Sequence, residues 1–197
     1  KGLVEKYYRK IGIDINVDEL IVTVAGSESV NLALEIACDP GDEVLVLEPF
    51  YTNYNTFAFM NKLTLKAIAT DIRNGFQIPP IEEFEKAITP KTKAILICNP
   101  GNPTGTQYSK ESMLALGEIA RKHDLFLLSD EVYREFCYTD EPHFSAMNIP
   151  GLEQNVILID SVSKRYNLCG ARIGCIVSHN KDVMAAVMKF AQARLCA

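Results

Sequence analysis

Seven short apolar runs, at 21–24, 44–47, 63–68, 93–98, 125–128, 156–159 and 173–177, punctuate the sequence. Most are too short for a helix and rich in Val, Ile and Leu, as strands buried on both faces are. The stretches between them follow a different period. Where the chain opens a helix at Ala25-Gly26-Ser27-Glu28, residues Val30, Ala33, Leu34 and Ala37 share one face. Further helices are predicted after Glu48-Pro49-Phe50-Tyr51, over 81–88, over 109–123 with Ser109 as its cap, and over 181–196 with Val183, Val187, Phe190 and Ala191 facing inward. Residues 1–10 read as the end of a helix closed by Gly12. Strand alternating with helix predicts an α/β fold, a three-layer sandwich around a mostly parallel seven-stranded sheet.

Ligands in such sheets bind outside the carboxyl ends of the strands, so the polar residues just after each apolar run are the candidates for chemistry. After the first run, a glycine turn into a helix start offers free amides and a favourable dipole to a phosphate, with the Ser27 hydroxyl close by; on its own, Ser27 reads first as an N-cap. Tyr51, past the second run, suits a stacking contact with a flat ring and equally suits the core or rim. The heptapeptide Asn99-Pro100-Gly101-Asn102-Pro103-Thr104-Gly105 is stiffened by two Asn-Pro steps, one of them a candidate cis bond, and its two glycines permit tight turns. Such rigidity aims Asn102 at an oxygen on a ligand.

Ser129-Asp130-Glu131-Val132-Tyr133 follows the fifth run. A carboxylate there is costly unless paired, and a protonated ring nitrogen would pair Asp130, with Tyr133 within reach of the same ligand. Asp130 also reads as a helix cap, and Glu131 as a surface residue. The sixth run delivers Ser161-Val162-Ser163-Lys164, where Lys164, partly desolvated between small hydroxyls, can lose its proton and act as a nucleophile. Eight residues on, Arg172 presents a planar fork suited to phosphate. An amine nucleophile beside a phosphate clamp points to a phosphorylated aldehyde, pyridoxal phosphate. Taken alone, both residues read as surface charges.

Composition narrows the setting. The 197 residues are 48% hydrophobic and 23% charged with a net charge of −5, which fits one globular domain and argues against a nucleic-acid partner. No apolar run reaches the roughly 18 residues of a membrane span, and no signal peptide is visible; Lys1 in the place of Met is read as a missing N-terminus. Six cysteines without a CxxC pair, Cys38, Cys98, Cys137, Cys169, Cys175 and Cys196, predict buried free thiols in a reducing, cytoplasmic compartment. The three histidines, His123, His143 and His179, are isolated, so no metal site is expected and each reads as a surface or helix-end residue.

The Asn99–Gly105 heptapeptide, the Ser129–Tyr133 pentapeptide and Ser161-x-Ser-Lys164 with Arg172-x-Gly174, in this order and spacing, resemble the class I/II aminotransferases of pyridoxal phosphate-dependent fold type I, the aspartate aminotransferase group in particular. The resemblance spans almost the whole chain. It implies that Lys164 is the Schiff-base lysine and the general base, Asp130 the partner of the pyridine nitrogen, and Asn102 and Tyr133 contacts of the phenolic oxygen. It implies a phosphate cup of Ser27, the Glu28 amide, Ser161 and Arg172, with Tyr51 stacked on the ring where aspartate enzymes commonly carry tryptophan. By the same resemblance the chain is a cofactor-binding large domain, residues 1–197, incomplete at both ends, without the small substrate-clamping domain and its carboxylate-binding arginine. The implied reaction moves an amino group between an amino acid such as aspartate and a 2-oxo acid such as 2-oxoglutarate, in a homodimer.

Two other readings share the motifs: a pyridoxal phosphate-dependent carbon–sulfur lyase, and a non-catalytic aminotransferase-like sensor domain of a transcription regulator. A nucleotide-binding domain is disfavoured, since neither GxGxxG nor GxxxxGK occurs.

Overall fold

The computed structural model describes residues 1–195. Seven strands form one sheet in the order β1-β7-β6-β5-β4-β2-β3: β1 (Leu20–Thr23), β2 (Glu43–Glu48), β3 (Thr64–Ala69), β4 (Thr92–Cys98), β5 (Phe126–Asp130), β6 (Val156–Ser161) and β7 (Gly174–Val177). Strands β2 to β6 pair in parallel, and β7 runs antiparallel to both of its neighbours. All seven apolar runs are therefore strands. Helices α1 (Gly2–Lys10), α4 (Ile81–Ala87) and α5 (Lys110–Lys122) pack on one face, and α2 (Ala25–Ala37), α3 (Asn53–Met60) and α7 (Lys181–Leu195) on the other. A four-residue helix, α6 (Val162–Arg165), follows β6 directly.

The period of two divides each strand between two cores. Ile95, Ile97, Leu127 and Leu158 join Met113, Leu116 and Ile119 of α5 and Phe84 of α4. Their neighbours Ala94, Leu96, Leu128, Ile157 and Ile159 join Val30, Ala33 and Leu34 of α2. Burying a leucine or isoleucine this fully is worth roughly 1.5–3 kcal/mol, so a run apolar at every position has a physical cause: both faces are covered. Helix α5 begins where Ser109 accepts a bond from the Ser112 amide and ends over Arg121 and Lys122, as its charge pattern requires. In α7 the buried arc is Val183, Met184, Val187 and Ala191, whereas Phe190, expected inward, is 42% exposed. Met184, on the other edge of this arc, is buried instead. The predicted end of this helix at Cys196 lies outside the described residues.

Glu131 corrects the sequence reading most sharply. It is fully buried rather than on the surface. Its Oε1 accepts bonds from the Ser129 and Ser145 hydroxyls and the Ala146 amide, and its Oε2 lies 3.3 Å from Arg134, itself buried. His143 stands 3.7 Å from the same oxygen and 3.1 Å from the Asn99 carbonyl, largely covered rather than on the surface. A charge enters this interior only with compensation: the 145–146 loop supplies two of the three donors to Oε1 from a part of the chain remote in sequence, and Oε2 has the Arg134 charge beside it without a hydrogen bond. Removing it should be expensive: Glu131→Ala strands Arg134 and is expected to cost about 3–5 kcal/mol in urea unfolding, with Glu131→Gln milder. A loss below about 0.5 kcal/mol, the value for an ordinary surface site, would contradict this account.

Candidate active site

A cavity of about 170 Å³ opens at the carboxyl ends of β1, β2, β4, β5 and β6. Its wall carries Ser27, Tyr51, Asn102, Asp130, Tyr133, Ser161, Lys164 and Arg172, all of them singled out from the sequence, together with Ala25, Gly26, Val30, Phe57, Cys98, Val132, Ser163 and Cys169. Glu28 is the one nominated residue that does not line it. Five strand-end loops, separated by up to 147 residues between Ala25 and Arg172, thus converge on one space.

The start of α2 forms one side. Val24, not Ser27, occupies the N-cap position, and the Glu28 carboxylate turns back to accept the Val24 amide at 2.5 Å. Ser27 therefore stands inside the first turn, and the N-cap reading of it is corrected. A helix leaves the amides of its first turn without partners of its own, and here they are those of Ala25, Gly26 and Ser27. The opposite side comes from β6 and α6. The Ser161 hydroxyl accepts the Ser163 amide and donates to the Ile173 carbonyl at 3.0 Å, which folds the loop from 162 to 173 back on itself. Arg172 sits in the left-handed region at φ 53°, with its guanidinium donating to the Cys169 carbonyl at 3.0 Å. Gly174 closes the seam: a Cβ there would meet backbone atoms of Ala25 and Gly26 at 2.5–2.8 Å, so only glycine permits β7 to lie against the start of α2.

Lys164 is exposed, not partly desolvated as expected, because nothing among the described residues packs over the loop from 166 to 173. Its Nζ lies 5.6 Å from the centre of the Tyr133 ring. The Asn99–Gly105 loop holds two cis peptide bonds, Asn99–Pro100 and Asn102–Pro103, where one was expected. Asn99 is fully buried and its Oδ1 accepts the Tyr108 amide at 3.0 Å, anchoring the loop on which Asn102 rides.

Asp130 forms the floor. It is buried and caps no helix, since irregular chain follows β5; its Oδ1 accepts the Val132 amide at 3.3 Å. Tyr54 donates to its Oδ2 at 2.8 Å. Burial pushes the Asp130 carboxyl up to about 6, against the pull of the Tyr54 and Val132 bonds, with the nearby Asp160 and Glu131 charges adding to the rise. Tyr54 had escaped the sequence reading. The one available signal is the Phe50-Tyr51-x-x-Tyr54 spacing at a helix start, which puts two tyrosines one turn apart.

Beneath the site, Asp160 accepts Tyr8 at 2.8 Å and Arg165 at 2.9 Å, and its Oδ1 accepts the Ser161 amide. Arg165 in turn stacks over the Tyr7 ring at 4.2 Å. Helix α1 is thereby fastened to the turn that carries Lys164. Among the described residues no three His, Cys, Asp or Glu side chains group as metal ligands, and no helix is long and apolar enough to cross a membrane. Cys98 and Cys175 are buried free thiols, Cys38 and Cys137 are half-buried, and Cys169 is exposed at the cavity; Cys196 lies outside the described residues.

The family model of class I and II aminotransferases matches residues 1–195. The chain belongs to this family. It is 36% identical over 182 residues to the putative aminotransferase YugH of Bacillus subtilis, covering 91% of this chain and 46% of that protein. To the aspartate/prephenate aminotransferase of Thermus thermophilus it is 35% identical, covering 88% and 44%. Among solved structures, the aspartate aminotransferase of Thermotoga maritima superposes with a TM-score of 0.90 at 32% identity, covering 98% of this chain and 50% of that one. The aromatic aminotransferase of Pyrococcus horikoshii superposes with a TM-score of 0.91 at 25% identity, covering 98% and 52%. The chain thus spans about half the length of the curated relatives it matches.

The raised Asp130 carboxyl makes stability depend on pH. An ordinary aspartate titrates near 3.9 when unfolded, so the folded state holds its proton longer, and stability is lost as pH rises from about 4 through about 6. In the cofactor-free protein, Asp130→Asn should therefore gain up to about 2–3 kcal/mol at pH 7–8 and nothing below pH 4 in paired denaturant titrations. Parallel curves for the two proteins across that range would refute the burial argument.

Proposed function

We propose that the protein is a pyridoxal phosphate-dependent aminotransferase, moving an amino group between aspartate or a similar amino acid and a 2-oxo acid such as 2-oxoglutarate, and that residues 1–197 are its cofactor-binding large domain. The observation that carries the reading is the floor of the cavity: a buried carboxylate, Asp130, directly accessible from a space whose rim holds a lysine amine and an arginine. Such a carboxylate needs a cationic or N–H partner, and a protonated pyridine ring supplies one.

The residues fit the cofactor. The amides at the start of α2 with Ser27, Ser161 and Arg172 would hold its phosphate, where helix dipole and guanidinium both favour a dianion. Tyr51 and Val132 would flank the ring, Asn102 and Tyr133 would meet its phenolic oxygen, and Lys164 would bind its aldehyde carbon through Nζ. Glu28 serves the same cup through the start of α2, its carboxylate securing the Val24 amide. When bound, pyridoxal phosphate supplies an electrophilic carbon for the substrate amine and a ring that draws electrons from the substrate Cα. Lys164, once the substrate amine has taken its place, carries the proton from Cα on Nζ and later returns it. Asp130 would keep the proton on the ring nitrogen, and so the ring's capacity to accept electrons, because a buried carboxylate at the end of β5 is stabilised most by a partner that stays cationic. The substrate carboxylate is assigned to the small domain in the remainder of the polypeptide. The homodimer and the cytoplasmic setting expected from the resemblance belong to the same proposal.

Mixing the intact protein with pyridoxal phosphate should give the absorbance of a covalently held cofactor, and Lys164→Ala should lose it; an unchanged band in that variant would sink the lysine assignment. Arg172→Ala should retain the band while binding the cofactor at least roughly tenfold more weakly, the loss expected for one charge-assisted phosphate contact. Aspartate with 2-oxoglutarate should yield glutamate, while cystathionine should yield no pyruvate; the reverse result would select a lyase.

A further inference from the structure

Asp130 is held from behind by a residue that the cavity does not contain. Tyr54, the second residue of α3, is 1% exposed, borders the small space under the Asn99–Gly105 loop rather than the cavity, and donates to Asp130 Oδ2 at 2.8 Å. Its ring meets that of Tyr51 edge-on, at 5.5 Å and 87°, and stacks on Phe50 at 6.3 Å. One side chain thus braces both the aromatic wall and the acidic floor. The hydroxyl keeps its proton for Asp130, since burial and the Asp130 charge raise its pKa well above the ordinary tyrosine value. With Oδ2 engaged, Oδ1 has only the 3.3 Å bond from the Val132 amide. A two-oxygen acceptor is then reduced to one that has capacity to spare.

We propose that Tyr54 is a positioning residue for the reaction: its hydrogen bond to Oδ2 fixes the Asp130 carboxylate so that Oδ1 is left to accept a ring N–H, and its ring sets the tilt of Tyr51. The role rests on the pyridoxal phosphate reading above. Tyr54 touches neither cofactor nor substrate. It acts through Asp130 and Tyr51, and its loss is felt wherever Asp130 must stay charged.

Tyr54→Phe keeps the ring and removes one hydroxyl. In the intact, cofactor-free protein labelled with 13C at aspartate carboxyls, with the Asp130 signal identified by its absence in Asp130→Asn, the wild-type midpoint is expected near pH 6. Losing a donor to the charged form should raise it by about one pH unit in Tyr54→Phe, a tenfold change in the proton equilibrium. Biosynthetic 3-fluorotyrosine, a stronger donor of nearly the same shape, should lower it, and this arm carries the test if Tyr54→Phe fails to fold. With pyridoxal phosphate added, Tyr54→Phe should bind roughly tenfold more weakly, and an Asp130→Asn background should abolish that difference. An Asp130 midpoint that moves in neither protein overturns the inference. A wild-type protein that takes up no pyridoxal phosphate overturns the reading of the cavity, and the role of Tyr54 with it; the titration needs no cofactor, so the two failures are distinct.

Discussion

Three carboxylates, Asp130, Glu131 and Asp160, are buried side by side at the ends of β5 and β6, and the fold has to give each of them a partner. Each uncompensated charge would cost several kcal/mol, a large part of the margin by which a domain stays folded. The solutions come from three directions. Glu131 is met by Arg134 and the 145–146 loop, Asp160 by Tyr8 and Arg165, and Asp130 by Tyr54 and one amide. Only the last set opens on the active-site cavity. Glu131 and Asp160 are structural because their partners are all internal; Asp130 faces a cavity with capacity unspent, and that difference separates a site from a brace.

The same constraint explains why helix α1 matters to a loop 150 residues away. Asp160 immediately precedes Ser161, and the side chains that donate to it lie on α1 and on the short helix bearing Lys164. Arg165 is gripped below by Asp160 and covered by Tyr7, leaving its neighbour Lys164 free at the surface. Adjacent positions on a single turn of helix point in different directions, so one can be locked while the other stays reactive.

Most of the fold was legible because a strand covered on both faces must be apolar at nearly every position, and the five inner runs, β2 and β4 to β7, cannot be hidden; the edge strands β1 and β3, partly exposed, were marked by β-rich composition. The site was legible for a related reason: strand ends are where polar residues become affordable, so Ser27, Asn102, Asp130 and Lys164 stood out against the runs before them. What the sequence concealed were the consequences of distance. Glu131 resembled a surface acid because its donors, Ser145 and the Ala146 amide, come from a loop with no local signature. Tyr54 was hidden by its own chemistry, since a tyrosine at the start of a helix is ordinary until a carboxylate 76 residues away is placed against it. Lys164 was expected to be desolvated; whether a side chain is covered depends on what else arrives over it, and hydrophobic patterning contains nothing about that. Phe190 and Met184 lie on opposite edges of the arc formed by Val183, Val187 and Ala191, and which edge is covered is a finer distinction than periodicity resolves.

The glycine at the start of β7 reaches beyond packing. Because Gly174 leaves no room between itself and the backbone of Ala25 and Gly26, the two halves of the rim, one from the start of the chain and one from near its end, abut without any side chain between them. They form a joint of bare main chain, with nothing compressible in it. The position of α2 is therefore tied directly to that of β7, whereas the exposed residues from 166 to 168 can be exchanged, lengthened or decorated without disturbing the joint. For anyone redesigning this pocket, novelty belongs in that outer loop, and the seam beneath it is the datum from which every other position is measured.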